Sequence, residues 1–176
     1  MKERCRRARS DRGQSPHTDC KRGRCICPGK AEGEALVSKE PLGFYGCVSA
    51  KTGVVIEKGH ELEGKCVKGK ILVFPCGKGS TVGSYVIYGL AKNKVAPKAI
   101  VNKETETIVA TGVILAGIPC VDKIDLEGIK SGDKLKIDAE HGIVELEQEP
   151  SVTKAEISAQ RAKDIAKAEN EKKKGN

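Results

Sequence analysis

The chain has no tryptophan, a single methionine, and only 3% aromatic residues. The case for a globular core therefore rests on its 38% hydrophobic content. No apolar run reaches the roughly 20 residues of a membrane span, so a transmembrane helix is not expected. The basic start lacks the apolar stretch that follows it in a signal peptide. On both counts the expected location is cytoplasmic. No C-x2-C pair occurs among the eight cysteines. Cys20, Cys25 and Cys27 follow the spacing C-x4-C-x-C, and neither Cys5 nor His17 is paired with them by spacing as a fourth ligand. No tetrahedral metal site is therefore expected here. The remaining cysteines, Cys47, Cys66, Cys76 and Cys120 with Cys5, read as free thiols of a cytosolic chain. Cys76 has no histidine close by in sequence that would make it a nucleophile.

The net charge of +8 is unevenly spread. Residues 1–30 hold ten Lys and Arg against three Asp and Glu, a net +7. Residues 31–149 are slightly acidic, at −2, and residues 150–176 carry +3. Basic ends on an acidic middle are not the basic face of a nucleic-acid-binding domain, so no nucleic acid is expected as partner.

What is present is centred on Lys70 to Leu90. Ile71-Leu72-Val73-Phe74 is a short apolar run that reads as a buried strand. Pro75, with no N–H to donate, closes it. Gly77 to Thr81 form a small-residue loop. From Val82, the positions Val82, Tyr85, Val86 and Leu90 follow helical spacing. A strand, a glycine loop and a helix start leave backbone N–H groups for an anion. Ser80 or Thr81 as a plain helix cap is the simpler reading. The P-loop does not fit, because Leu72 stands where its first glycine belongs and Gly79, not Ser or Thr, follows Lys78.

Around this centre, Cys25 to Ser38 has strand-like ends with glycines between. Lys39 to Gly64 is loop-rich, with Val54-Val55-Ile56 as one short strand and His60 as a surface or packing residue. Lys98 to Asn102 predicts a second core strand. A helix over Ile108–Ala116, capped by Thr105 or Thr107 and ended by Gly117, is apolar all round and is expected to be buried. Ile118 to Asp122 is extended. Leu135–Asp138 and Ile143–Leu146 alternate, and residues 139–142 join them as a hairpin. Alternating strands and helices closed by a hairpin predict an α/β domain with a mixed sheet. Residues 1–24 are expected to be a basic disordered extension, 25–147 the folded domain, and 148–176 a charged tail. In that tail Val152, Ala155, Ala159, Ala162 and Ile165 form a weak helical stripe.

Five segments in order carry a family resemblance: Pro28–Ser38, Gly77-Lys-Gly-Ser80-Thr-Val-Gly-Ser84-Tyr85, Ala96–Ile100, Ala116-Gly117-Ile118-Pro119-x-Val121-Asp122, and Ser131-Gly132-Asp133. Together they resemble the small subunits of archaeal phosphomevalonate dehydratases, of the aconitase X type, over about residues 25–147. The resemblance implies a swivelling β/α domain like the mobile domain of aconitase. It implies a large partner subunit in a heterodimer, carrying an iron–sulfur cluster expected to be [4Fe-4S], with no cofactor or metal bound by this chain. The implied activity is that of a hydro-lyase, active only with the large subunit. It dehydrates (R)-mevalonate 5-phosphate to trans-anhydromevalonate 5-phosphate in archaeal isoprenoid synthesis. Ser80 falls on the family's proton acceptor. Gly77, Lys78, Gly79, Thr81, Gly83 and Ser84 are expected to support the substrate loop. Ser84 is expected almost one turn inside the helix, where its oxygen meets no free donor.

One loop departs from the family's usual Gly-Gly-Val-Asp-x-x-Thr-Gly. In Gly46-Cys47-Val48-Ser49-Ala50-Lys51-Thr52-Gly53, Cys47 and Ser49 stand for the second glycine and the aspartate. The alternative reading is a phosphate- or metal-binding module without catalysis of its own, built on the glycine loop or on Cys20, Cys25 and Cys27.

Overall fold

Ile71 to Phe74 lie at the centre of the molecule, buried on both sides. We describe the computed structural model over residues 19–147. In chain order its elements are β1 (Asp19–Arg22), β2 (Arg24–Cys27), β3 (Lys30–Val37), β4 (Leu42–Gly43), β5 (Ile71–Phe74), β6 (Gly77–Lys78), α1 (Gly83–Lys92), β7 (Ala99–Asn102), α2 (Thr107–Ala116), β8 (Cys120–Asp122), β9 (Lys134–Asp138) and β10 (Ile143–Glu147). The disorder expected for residues 1–18, the residues Cys5 and His17 weighed as a fourth ligand, and the tail 148–176 with its stripe lie outside the described residues.

Eight strands form one mixed sheet in the order β1-β10-β9-β3-β5-β7-β8-β2. The run from β3 through β5 and β7 to β8 is parallel, and the flanking pairs are antiparallel. The two end strands, β1 and β2, are separated by one residue, Gly23. The sheet therefore curls until its ends meet at that corner. Gly23 N–H donates to the Gly142 carbonyl at 2.8 Å. A Cβ on Gly23 would collide with the Asp122 carbonyl oxygen and stand 2.7 Å from Ile124 Cδ1. These contacts correct the expected boundary, because residues 19–24 belong to the sheet rather than to a disordered extension.

The curled sheet has two apolar sides, and β5 supplies both by alternation. Ile71 and Val73 pack with Val101, Val121, Leu135, Ile137 and Val144. Leu72 and Phe74 pack with Ile100 and with helix residues Ile87, Leu90, Val109 and Val113. Burial on both sides explains why β5 reads as an unbroken apolar run.

The helices meet at Gly112, where a Cβ would lie 3.2 Å from Ser84 Cα. Only one face of α2 is covered, by the sheet and α1. Val109, Gly112 and Val113 are buried, while Ile114 and Leu115 are 58% and 55% exposed. The expectation of an all-round buried helix is thus corrected. Neither Thr105 nor Thr107 caps α2, whose N-cap is Glu106 without a side-chain cap bond. Gly117, at φ 65°, ends it as expected. The strand expected at Val54–Ile56 is reduced to isolated bridges, Val48 to Val55 and Val54 to Cys66, because turns interrupt the chain on either side. The hairpin forms with residues 139–142 as its connection. Among the described residues, no helix is long and apolar enough to cross a membrane.

Candidate functional site

The glycine segment leaves β5 at Pro75 and is held on three sides. Its first two residues, Gly77 and Lys78, are strand β6 rather than loop, because they pair in parallel with Leu42 and Gly43. Leu42 N–H also donates to the Cys76 carbonyl at 3.1 Å. From a second side, Lys78 Nζ donates to Glu57 Oε1 at 2.6 Å. This pairing holds the Glu57 carboxyl below its ordinary value against the upward push of burial, and raises the Lys78 ammonium. From a third side come the residues between β7 and α2. Asn102 Nδ2 donates to the Phe74 carbonyl at 2.9 Å, and Glu104 N–H donates to the Pro75 carbonyl at 2.9 Å. The Glu106 side chain lies against Gly77, where a Cβ would collide with its Oε1.

Beyond these holds the chain turns. Gly79 has φ 101°, a backbone that favours glycine. Ser80 follows, exposed. Its Oγ accepts the Val82 N–H at 3.3 Å, and its carbonyl accepts the Gly83 N–H at 2.8 Å. No acceptor among the described residues meets the N–H of Ser80 or Thr81. Helix α1 starts at Gly83, with Val82 as N-cap and no side-chain cap bond. Ser80 and Thr81 therefore do not cap it, contrary to the simpler reading. A turn takes up these residues first, so the helix begins one residue later than the apolar spacing implies.

Ser84 is accordingly a first-turn residue, not one almost a turn inside. Its hydroxyl is buried and donates to the Thr81 carbonyl at 2.8 Å. Gly83 is buried against α2, since a Cβ there would lie 3.1 Å from Ile108 Cγ2. Of the residues singled out by sequence, the structure brings Ser80 and the exposed Thr81 to the surface, commits Ser84 to a backbone bond, and ties Lys78 to a carboxylate.

Sequence reasoning missed Glu57, Asn102 and Glu106. Glu57 sits in a loop-rich stretch with no periodicity to place it. Glu106 had a weak signal, as the residue before the helical run. Both carry a buried carboxylate oxygen without a hydrogen-bond partner, Glu57 Oε2 and Glu106 Oε1. Burial pushes the Glu106 carboxyl up, and the facing Gly77 N–H pulls the other way.

At the departing loop, Cys47 is half-buried beside this pair. Burial and then the Glu57 charge push its thiol up, which disfavours a nucleophilic role. Ser49 Oγ accepts the Thr52 N–H at 3.4 Å and so serves the turn. His60 is buried, with Nδ1 accepting the Leu62 N–H at 3.1 Å, a packing residue as expected.

Cys20 lies in β1 on β10, while Cys25 and Cys27 lie in β2 on β8. Cys27 is buried with Sγ directed to the Val113 carbonyl at 3.7 Å, and its strand neighbour Cys120 has its thiol pushed up to about 12 by burial. Among the described residues the side chains that converge at metal-ligand spacing are Asp138, Glu140 and His141. The described thiols make no cradle of three for an iron–sulfur cluster.

Residues 21–146 match the family model of the aconitase X swivel domain. The phosphomevalonate dehydratase small subunit of Thermococcus sibiricus is 58% identical over 127 residues, which cover 72% of this chain and 98% of that protein. The protein of the same name from Thermococcus onnurineus is 55% identical with the same coverage. The crystal structure of Thermococcus kodakaraensis aconitase X (holo-form) superimposes with a TM-score of 0.73 at 53% identity, over 74% of this chain and 99% of that one.

Proposed function

This chain belongs to the aconitase X swivel-domain family, and on that premise we propose that it is the small subunit of a phosphomevalonate dehydratase, a hydro-lyase. The observation that carries the chemical part is Ser80, exposed beyond a glycine segment held on three sides, with a backbone N–H directed to its oxygen. The substrate is (R)-mevalonate 5-phosphate and the product trans-anhydromevalonate 5-phosphate, a step of the archaeal mevalonate pathway for isoprenoids. The partner is a large subunit in a heterodimer, in the cytoplasm.

Loss of water needs a base for the C–H proton and an acid for the leaving hydroxyl. Ser80 Oγ is the proton acceptor. A serine hydroxyl is a weak base unless donors stabilise its alkoxide. The Val82 N–H and the positive end of α1 do so here, and the N–H groups of Ser80 and Thr81, which meet no acceptor among the described residues, are open to an anion. On the family resemblance a [4Fe-4S] group would be carried by the large subunit, and the described thiols of this chain make no cradle of three for it. When bound there it supplies a Lewis acid for the leaving hydroxyl. Gly77, Lys78, Gly79 and Gly83 shape and hold the loop, while Thr81 and Ser84 close the turn behind Ser80.

The test is anaerobic co-expression with a candidate large subunit, followed by an assay for loss of water from mevalonate 5-phosphate. Turnover by the pair and none by either chain alone is expected. Turnover by this chain, free of partner and iron, defeats the proposal.

A further inference from the structure

We infer that Glu106 is a positioning residue for the loop Gly77–Ser80, an inference that rests on the reading of Ser80 above. Gly77 has no positive φ that would call for glycine. What the position requires is the absence of a Cβ, because Glu106 Oε1 and Val109 Cγ2 occupy that space, the latter at 2.8 Å. The carboxyl is therefore packed on the loop backbone itself, three residues before Ser80.

Neighbouring contacts make this a continuous seam. Asn102 holds the Phe74 carbonyl, Glu104 N–H holds the Pro75 carbonyl, and Glu106 meets Gly77. Going outward along the glycine segment, Glu106 is the last support that the β7–α2 connection supplies. Its Oε1 is buried with no hydrogen-bond partner. The carboxyl faces the Gly77 N–H, which pulls it down against the push of burial. Glutamine keeps the shape of this side chain and an oxygen that can accept from the Gly77 N–H, so the amide serves as a substitute.

The test uses full-length wild type, Glu106→Ala, Glu106→Gln and Gly77→Ala. Amide hydrogen exchange is read on each chain alone, and steady-state turnover with the large subunit. In Glu106→Ala, exchange at Val82 and Gly83, whose N–H groups donate to Ser80, and at Leu42, whose N–H donates to the Cys76 carbonyl, is expected to quicken about tenfold, with β9 and β10 unchanged. Turnover, kcat, is expected to fall about 10- to 100-fold with KM within about twofold, the cost of a misplaced catalytic group. Gly77→Ala reaches the same contact from the other side and gives the same pattern. Glu106→Gln restores both readouts to within about threefold of wild type.

In a Ser80→Ala background, Glu106→Ala adds little further loss. An undiminished further loss there overturns the inference, as does unchanged loop exchange in Glu106→Ala, or a Gln variant as poor as the Ala variant. Ser80→Ala by itself is the separate control. If it keeps near-normal turnover, the assignment of the base fails, and the exchange measurement alone decides whether Glu106 holds the loop.

Discussion

Lys78 Nζ and Glu57 Oε1 stand 2.6 Å apart, so the residue two places before Ser80 is tied to a loop 21 residues upstream. That ion pair sets the cation of the glycine segment facing a carboxylate.

Ser80→Ala is expected to cut kcat by about 10² to 10⁴, the range for loss of a general base. KM should change little. Thr81→Ala and Ser84→Ala should cost much less, because the Thr81 carbonyl, not its side chain, closes the turn and the Ser84 hydroxyl is engaged with it. Steady-state kinetics of the three variants in the complex with the large subunit checks this. Near-normal turnover in Ser80→Ala with loss in Ser84→Ala reverses the assignment.

The Lys78–Glu57 pair gives a pH window. Glu57 is depressed, so its contribution is present above the ordinary carboxylate value of 4.5 and is lost as pH falls through its lower folded value. Lys78 is raised, so its contribution is present below 10.5 and is lost as pH rises through its higher folded value. Glu57→Gln should therefore cost stability at neutral pH and approach wild type in acid. Both groups are partly exposed, so the loss is about 1 kcal/mol or less. Denaturant midpoints of the two chains at pH 3 and pH 7 decide it. An equal difference at both pH values would rule out the pair as its source.

Gly23→Ala is expected to destabilise the domain by about 3 kcal/mol, the upper part of the usual range for overpacking. The Asp122 carbonyl it strikes is backbone and cannot swing aside. The check is the denaturant midpoint, with Gly59→Ala as comparison, since no atom lies within 4 Å of a Cβ there and only its φ of 80° is strained. A smaller loss at Gly23 than at Gly59 argues against closure at this corner.

Replacing Cys20, Cys25 and Cys27 together by serine should leave turnover within a few-fold, as the proposed function puts the cluster ligands on the large subunit. Iron content of the complex should be unchanged. A collapse of turnover together with loss of iron assigns the ligands to this chain after all.

The central strand and the helices were legible because their signals are local. Ile71–Phe74 carries a four-residue apolar run ended by Pro75, and Gly117 marks the end of α2 by its tolerance of positive φ. The β9–β10 hairpin shows its alternation on both arms of a short connection. The burial of α2 was not legible, since Ile114 and Leu115 have the same composition whether a second layer covers them or not. The short pairing of Gly77-Lys78 with Leu42-Gly43 was missed for a related reason, as two residues carry no period.

The sequence by itself determined the central strand, the two helices, the closing hairpin and the placing of a serine between a glycine turn and a helix start, because spacing of 2 and 3.6 residues and the backbone limits of Gly and Pro act within a few positions. Only the tertiary structure decided the rest. The sheet closes because Gly23 fits against the β9–β10 turn and the Asp122 carbonyl, partners about 100 or more residues away that no local pattern marks. Glu57 reaches Lys78 and Glu106 reaches Gly77 only once β5 and β7 are paired and α1 and α2 are packed beside them. Those contacts depend on distances in space between segments far apart in the chain, and such distances exist only in the folded molecule.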